Sequence, residues 1–213
     1  MNNWKDDFIK FAISKKVLRF GKFFLKSGRI SPYFFNIGAL NNGKDLNILG
    51  EFYAKVLINI NVDFNLLFGA PYKGIISAIV TSMSLYNTYN RKVNYSFNRK
   101  EQKKHGEQGL LIGSSFQKKK IILIDDVITS GSSIKELINN VCNYKKTSIV
   151  GILIAFNRQE KKNNDFFVSS DTLQKYCIYS IITLNDVINY MQKNIEYNQE
   201  LIAIDTYKKI YGL

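Results

Sequence analysis

The sequence has little cysteine, proline and histidine, and it lacks long apolar runs. It has two cysteines, two prolines and one histidine among 213 residues. Cys142 and Cys177 lack the spacing of a zinc or redox motif, so we expect reduced thiols in a cytoplasmic protein. With His105 as the only histidine, no histidine-based metal site or Ser-His-Asp triad can be built away from it. The chain has no uninterrupted apolar run of about 18 residues, so we expect no membrane span.

The charge balance is strongly basic. Thirty Lys and Arg residues oppose seventeen Asp and Glu residues, which gives a net charge of +13. This excess favours anionic ligands but does not choose between phosphates and polynucleotides. The basic residues are scattered and the aromatic residues fall mostly in strand patterns, so nucleic acid is the weaker interpretation. A hydrophobic content of 46% and a charged content of 22% are ordinary for a globular protein, and the length suits one domain over residues 1–213.

Apolar periodicity predicts a chain in which strands and helices alternate. Helical spacing is found over 6–17, 45–60, 74–86, 132–144 and, with a break near Asn194, 185–211. Apolar strands are predicted at 64–69, 92–97, 120–126, 148–156 and 177–183, and a polar loop at 98–109. Strands that are apolar on both faces and alternate with amphipathic helices indicate an α/β fold, with a mainly parallel sheet flanked by helices.

Two aromatic-rich strands near the N-terminus fall outside this alternation. They lie on either side of a turn at Ser27 and Gly28, within the segment RFGKFFLKSGRISPYFFNIGAL. We expect them to form a small N-terminal hood, built mainly from about residues 1–40 with C-terminal elements.

One strand end carries the strongest chemical signal. The segment IILIDDVITSGSS leads a buried strand into Asp125 and Asp126, and then into a loop of small and hydroxyl residues that opens a helix. Such a loop can direct backbone N–H groups and a helix N-terminus at a phosphate monoester. The adjacent acids suit ribose hydroxyls or a hydrated Mg²⁺. The segment is neither a Walker A motif nor a G-x-G-x-x-G fingerprint.

Two further segments are predicted at the same edge of the sheet, where ligands of open α/β sheets bind. Lys73 follows the strand 64–69 and precedes Gly74, and a lysine in this position suits a diphosphate. The polar stretch 98–109 carries cationic residues that could close over an anionic substrate and exclude water: Arg99, Lys100, Lys103, Lys104 and His105. By composition alone, a solvated surface loop explains this stretch equally well.

The acid pair and its loop resemble the phosphoribosyl-diphosphate (PRPP) motif of the type I phosphoribosyltransferases. Five strings in the order of that family resemble its bacterial orotate phosphoribosyltransferase branch: VLRFGKFFLKSGRISPYFFNIG, LLFGAPYKGI, FNRKEQKKHGE, IDDVITSG and NRQE. The resemblance implies the type I phosphoribosyltransferase fold. It also implies a Mg²⁺-dependent transfer of the 5-phosphoribosyl group from PRPP to orotate, which yields orotidine 5′-monophosphate and diphosphate in pyrimidine biosynthesis.

The resemblance also assigns roles to residues of this chain. Asp125 and Asp126 would hold the ribose hydroxyls, with Mg²⁺ bound near them through PRPP. PRPP contacts are implied for Lys26, Tyr72, Lys73, Arg99, Lys100, Lys103, His105, Thr129, Ser130, Gly131, Ser132 and Ser133. Orotate contacts are implied for Phe34, Phe35, Thr129 and Arg158. We expect Lys103 and His105, together with the acid pair, to be catalytic. In the family the loop serves the neighbouring subunit, so the resemblance implies a homodimer that shares its active-site loops.

The chain departs from the family pattern at two positions. It has Ala70-Pro71 where the pattern has Pro before Ala, and Pro71 restricts the backbone beside Tyr72. It also has Asn157 where an acid is expected beside Arg158, which would remove a charge there. Two alternative functions remain open at this stage. One is a phosphoribosyltransferase for purine bases or uracil, and the other is a non-enzymatic regulator on the same fold that binds RNA or DNA.

Overall fold

The computed structural model describes residues 3–25, 27–103, 109–128, 132–142, 144–161 and 173–213. Its helices are α1 (Trp4–Ser14), α2 (Gly43–Asn59), α3 (Lys73–Tyr89), α4 (Ser132–Cys142), α5 (Leu184–Gln192) and α6 (Asn198–Tyr211). Its strands are β1 (Leu18–Phe24), β2 (Ile30–Phe35), β3 (Leu66–Gly69), β4 (Asn94–Lys103), β5 (Gly109–Gly113), β6 (Lys120–Val127), β7 (Ser148–Asn157) and β8 (Ile178–Thr183). Short 3-10 helices span Ile37–Ala39 and Ile195–Tyr197.

A six-stranded sheet in the order β5-β4-β3-β6-β7-β8 forms the centre of the molecule. All neighbouring strands pair in parallel except β4 and β5, which are antiparallel. The side chains of β6 alternate between two hydrophobic clusters. Ile122 and Ile124 belong to the cluster that includes residues of α2 and α3, and Ile121 and Leu123 to the cluster that includes residues of α4. Helices therefore cover both faces, and the predicted α/β sheet is confirmed.

The N-terminal hood consists of α1 and the antiparallel hairpin β1–β2. The inward residues of β2 are buried and share one core with the sheet: the rings of Phe35 and Phe156 are 5.1 Å apart. Helix α6 covers the same strand, since the rings of Tyr33 and Tyr207 meet edge to face at 5.9 Å. The N-terminal hairpin therefore packs between the sheet and α6.

The predicted loop over 98–109 is wrong in part. Strand β4 continues to Lys103 and pairs with β5, which was not predicted at all. At the edge of a sheet, antiparallel pairing satisfies the backbone of a polar segment without burying its side chains. The polar composition of 98–103 therefore did not indicate the extension of β4, whereas the apolar run at 110–112 between two glycines was a strand signal for β5 that the prediction passed over. Residues 104–108, which include Lys104 and His105, lie outside the described residues.

The C-terminal region follows its predicted outline. Helix α5 ends at Gln192, a 3-10 turn follows, and α6 begins at Asn198, so the break near Asn194 is confirmed. Cys142 and Cys177 are both exposed and free. None of the helices in the described ranges has the length and apolar character needed to cross a membrane.

A close backbone approach places the start of α3 against the end of β6. A methyl group at Gly74 would overlap the carbonyl oxygen of Ile124 and lie 3.3 Å from the Cα atom of Asp125. A methyl group at Gly69 would in turn overlap the carbonyl of Gly74. Glycine at both positions lets the β3–α3 turn lie directly on β6, which brings Lys73 beside the two acids.

Gly74→Ala should therefore destabilise the protein by about 1–3 kcal/mol, because the added methyl group must displace backbone rather than a flexible side chain. Gly43→Ala is the matched control, since a methyl group there, in the first turn of α2, meets nothing within 4 Å. Urea unfolding of both variants measures the difference. Equal unfolding free energies for the two variants would contradict the close approach.

Candidate active site

Charged side chains of opposite sign meet at the carboxyl edge of the parallel sheet. Asp125 and Asp126 lie near the end of β6, and Lys73 begins α3 after β3. Lys73 Nζ lies 2.8 Å from Asp126 Oδ2. The Asp126 side chain is 10% exposed and the Lys73 side chain is 42% exposed, so the pair opens to solvent on its cationic side. An anion that approaches this edge therefore meets the ammonium group first.

Tyr53 of α2 holds the backbone at the acid pair through a hydrogen bond. The Tyr53 hydroxyl donates to the carbonyl oxygen of Asp125 at 2.9 Å, and Ser77 Oγ donates to the Tyr53 hydroxyl at 3.4 Å. Tyr53 is fully buried, and a buried tyrosine hydroxyl needs a partner. The helical spacing over 45–60 placed Tyr53 in a predicted helix but did not indicate this contact. The need for a partner was the available signal, but that partner lies 72 residues away.

The surroundings of Asp125 favour its protonated form. Burial raises the pKa of Asp125 to about 7, and the neighbouring charge of Asp126 adds to this effect. The N–H of Asp126, which donates to Asp125 Oδ1 at 2.8 Å, and the charge of Lys73 lower the pKa without offsetting the rise. Hydroxyl donors or a cation placed beside Asp125 would favour its ionised form. The site therefore holds one acid paired with lysine and one acid that titrates near neutral pH.

A second polar group lies beyond the end of β7. Arg158 Nε donates to Glu160 Oε1 at 2.8 Å, and its Nη2 lies 2.6 Å from the same oxygen. Nη2 also donates to Ser31 Oγ at 3.1 Å, and the guanidinium carbon lies 4.4 Å from the centre of the Tyr33 ring. Ser31 and Tyr33 belong to β2, so the hood holds an arginine that follows a sheet strand.

Arg158 keeps its charge although it is buried. Burial acts to lower its pKa, but interactions with Tyr33 and Glu160 outweigh that effect and raise the pKa above its usual value. Strands β6 and β7 are neighbours, with Val127 paired to Phe156. The acid pair and Arg158 therefore lie at the same edge of the sheet, where one ligand with two polar ends could reach both.

The two predicted aromatic residues of the hood differ in what they can offer a ligand. Side chains alternate along β2, so Phe34 and Phe35 point to opposite sides of the hairpin. The half-buried Phe34 ring stacks on Phe23 at 5.4 Å and has the Arg19 guanidinium 5.4 Å from its centre. The Phe35 ring is buried in the core against Phe156. Phe34 can offer a ring, whereas Phe35 has only its backbone left.

Several other predicted site residues are positioned only in part. Arg99, Lys100 and Lys103 lie in β4, Ser132 begins α4, and Ser133 is exposed in its first turn. Tyr72 is exposed and follows a cis peptide bond after Pro71. The predicted residues that lie outside the described ranges are Lys26, His105, Thr129, Ser130 and Gly131.

The polar partners of Arg158 were missed from sequence. Asn157 does not leave Arg158 without an acid, because Glu160 lies against the guanidinium. The Asn157 Oδ1 atom instead accepts the N–H of Gln159 at 3.0 Å. The string NRQE contained the acid, but only the fold shows that the chain turns it back onto Arg158.

The sheet order, the acid pair at the end of β6 and the N-terminal hood define a type I phosphoribosyltransferase. The structure is similar to the crystal structure of an orotate phosphoribosyltransferase from Francisella tularensis, with a TM-score of 0.85 and 34% identity over 97% of this chain and 100% of that one. An orotate phosphoribosyltransferase of Erwinia tasmaniensis is 45% identical over 215 residues, with both chains covered in full. The chain therefore belongs to the orotate phosphoribosyltransferase family, and the predicted fold class, family and class of enzyme are confirmed.

A more distant likeness concerns the fold alone. An orotate phosphoribosyltransferase of Mycobacterium tuberculosis in complex with PRPP has a TM-score of 0.61 and 14% identity, over 86% of this chain and 98% of that one. No protein-family model matches the chain.

The raised pKa of Asp125 predicts that this residue makes stability depend on pH. The folded state keeps the proton up to about pH 7, whereas the unfolded chain releases it near its ordinary pKa of 3.8. Folding therefore takes up a proton between these values, and the contribution of Asp125 to stability falls as the pH rises through this window.

Asp125→Asn, which cannot ionise, should be more stable than the unsubstituted protein at pH 8 by about 1 kcal/mol or more, and should lose most of that advantage at pH 5. Urea unfolding of the ligand-free proteins at both pH values measures this difference. A difference between the two proteins that is the same at pH 5 and pH 8 would contradict the raised pKa.

Proposed function

We propose that this chain transfers the 5-phosphoribosyl group from PRPP to orotate, with Mg²⁺, to give orotidine 5′-monophosphate and diphosphate. The observation that carries the proposal is the pairing of Lys73 with Asp126 at 2.8 Å, beside Asp125 and at the same sheet edge as Arg158. This edge offers a cation and two acids to one end of a ligand and a guanidinium to the other. PRPP and orotate carry matching groups: diphosphate and ribose hydroxyls on PRPP, and a carboxylate and ring carbonyls on orotate.

On the PRPP side, Asp125 and Asp126 accept hydrogen bonds from the ribose hydroxyls, and Lys73 contacts the diphosphate. The loop that contains Thr129, together with the N-terminus of α4, holds the 5′-phosphate through backbone N–H groups. Support comes from the position of α4, which begins at Ser132 after the acid-bearing strand. Lys26 and Tyr72 are assigned to PRPP by family resemblance.

The residues at this edge fit a Mg²⁺ ion held mainly by the substrate. The two carboxylates are hard oxygen ligands of the kind that Mg²⁺ prefers, but Asp126 already pairs with Lys73. Within the described ranges, no group of three or more His, Cys, Asp or Glu residues could hold a metal ion. When bound, Mg²⁺ would act as a Lewis acid and template on the diphosphate oxygens, near Asp125 and Asp126.

On the orotate side, Arg158 has the geometry for paired N–H bonds to a carboxylate or carbonyl. Phe34 contributes its ring, Phe35 contributes its backbone, and Thr129 a polar contact. The ribose C1 atom acquires oxocarbenium character during transfer, so catalysis consists of positioning the base and stabilising the leaving diphosphate. Lys103 at the end of β4 and His105 in the following loop contact that diphosphate, and Arg99 and Lys100 of β4 are assigned to PRPP as well.

We also propose a homodimer in which each loop serves the site of the partner subunit. Helix α3 and strand β4 expose large apolar side chains, among them Met83 at 57% and Tyr86 at 60%, with Ile76 and Tyr95 nearby in the same elements. Ile76, Met83 and Tyr86 recur at helical spacing and form one face of α3. A second copy of this chain would cover this face. Because β4 leads into the loop, the loop would then lie close to the second copy.

The reaction is tested by following ultraviolet absorbance with PRPP, Mg²⁺ and one base at a time. Orotate should be consumed, and uracil, hypoxanthine and adenine should not, because those bases lack a carboxylate for Arg158. Omission of Mg²⁺ should abolish the change. Consumption of another base instead would contradict the proposal. PRPP binding without consumption of any base would favour a regulator on the same fold.

Loop sharing predicts complementation between two inactive variants. Lys103→Ala should lower kcat by roughly a hundredfold or more, the scale of losing one preorganised donor. Asp125→Asn removes a ribose contact in the other half of the site. After the two variants are mixed and their subunits exchange, each hybrid dimer contains one intact site, so activity should recover to about a quarter of the unsubstituted value.

Light scattering should give a dimer mass for each variant, which excludes loss of assembly as the cause of inactivity. A loop that acts within its own subunit gives hybrids without any intact site. Activity that stays at the level of the separate variants would therefore contradict loop sharing.

A further inference from the structure

The carboxylate of Glu160 is the meeting point of groups from the hood and the sheet. Its Oε1 atom accepts from Arg158 Nε at 2.8 Å and from the Tyr33 hydroxyl at 2.8 Å. Its Oε2 atom lies 3.3 Å from Arg29 Nη1. One acid thus joins a residue of the hairpin turn, a residue of β2 and the residue that follows β7.

These groups are withdrawn from water. The side chains of Arg29 and Arg158 are each 9% exposed, and that of Glu160 is 14% exposed. The Arg29 guanidinium lies over the Tyr211 ring at 4.6 Å. Charged hydrogen bonds are strong and strongly directional where water is excluded, and a buried charge that loses its partner is costly. The geometry of this cluster is therefore constrained by more than packing.

The cluster leaves one edge of Arg158 unused. Glu160 and Ser31 accept from Nε and Nη2, and the side-chain hydrogen bonds within the described ranges include none from Nη1. The buried Tyr207 hydroxyl also lies beside this cluster and has no hydrogen-bond partner of its own among those residues. An anionic ligand at the Nη1 edge of Arg158 would supply the missing acceptor.

The segment that carries Glu160 is itself fixed. Lys161 N–H donates to the Tyr211 carbonyl at 2.6 Å, and Leu213 N–H donates to the Gln159 carbonyl at 2.8 Å. Glu160 and Gly212 form an antiparallel bridge. The backbone that carries the Glu160 carboxylate is therefore held in place by hydrogen bonds to the end of α6 and the residues after it. Because this backbone is fixed, the carboxylate can set the orientation of Arg158.

We propose that Glu160 is the positioning residue of the orotate subsite: it orients Arg158 so that the free guanidinium edge meets the orotate carboxylate or carbonyl. Tyr33 supports it by fixing the same carboxylate oxygen from the hood strand. This inference rests on the proposed function, because it requires Arg158 to contact orotate. It assigns to Glu160 a role in base recognition and none in PRPP binding.

The test is steady-state kinetics of Glu160→Gln with each substrate varied in turn. The amide keeps the size of the side chain and one acceptor oxygen but loses the charge. KM for orotate should rise about tenfold or more, while KM for PRPP changes by less than about twofold, because only one substrate meets the misplaced guanidinium. Tyr33→Phe removes one hydrogen bond to the same oxygen and should raise KM for orotate by a smaller factor.

Asp45→Asn is the matched control for loss of a buried carboxylate. Asp45 has a side chain 5% exposed and pairs with Lys15 at 3.0 Å, so its substitution removes a comparable ion pair elsewhere. This control should lower the melting temperature while leaving KM for orotate unchanged. Glu160→Gln should raise KM for orotate, whereas Asp45→Asn should not, even if both variants lower the melting temperature.

The possible outcomes distinguish failure of the proposed function from failure of the positioning role of Glu160. An unsubstituted protein that does not consume orotate overturns the proposed function itself. An active protein whose Glu160→Gln variant keeps its KM for orotate, or shows equal increases for both substrates, overturns the positioning role alone. If Glu160→Gln does not fold, Tyr33→Phe decides: an unchanged KM for orotate contradicts the inference, and a selective increase supports it.

Discussion

The close contact between the start of α3 and the end of β6 is the constraint on which the candidate site depends. Gly74 has no room for a side chain against the Ile124 carbonyl, and only this proximity lets Lys73 reach Asp126 at 2.8 Å. The Tyr53 hydroxyl fixes the same stretch of β6 from the other side, through the Asp125 carbonyl. The acid pair is therefore set by backbone contacts. Side-chain flexibility enters only at Lys73, which is the group that faces solvent.

The two halves of the site each bury like charges beside one group of opposite charge. The acid pair has Lys73, and the two guanidinium groups have Glu160. Burial and mutual repulsion make two adjacent carboxylates unfavourable, and the structure relieves this with Lys73 and with a proton held by Asp125 up to about pH 7. At the other end two buried guanidinium groups share the carboxylate of Glu160. One half is thus ready for hydroxyl donors or a cation, and the other for an anion. Under the proposed function, PRPP would replace the compensating proton and orotate would supply an acceptor to Arg158.

Much of the fold could be predicted because its signals are local. Apolar runs on both faces predicted the parallel sheet, and the acid pair was predicted as a candidate site because Asp125 and Asp126 follow four apolar residues directly. The β4–β5 hairpin was missed because 98–103 is polar, which masked the extension of β4, although the apolar run at 110–112 indicated a strand. Tyr53 and Glu160 were missed for another reason. Their partners are distant in sequence: Tyr53 meets a carbonyl 72 residues away, and Glu160 meets the Tyr33 hydroxyl 127 residues away. No periodicity marks such pairs.

Different kinds of contact hold the Lys73 half and the Arg158 half of the site in place. Lys73 and the acids are held by α2, α3 and β6, whose contacts are backbone carbonyls, glycines and the sheet itself. Arg158 is held by β2 and Glu160, through buried ions and hydrogen bonds between side chains. A substitution in the hood can therefore reorient Arg158 without moving Lys73, whereas a change at Gly74 displaces Lys73 and the acid pair first. Under the proposed function, base recognition would thus be the more separable property of this fold, because Arg158 depends on side chains from a hairpin that takes no part in the central sheet.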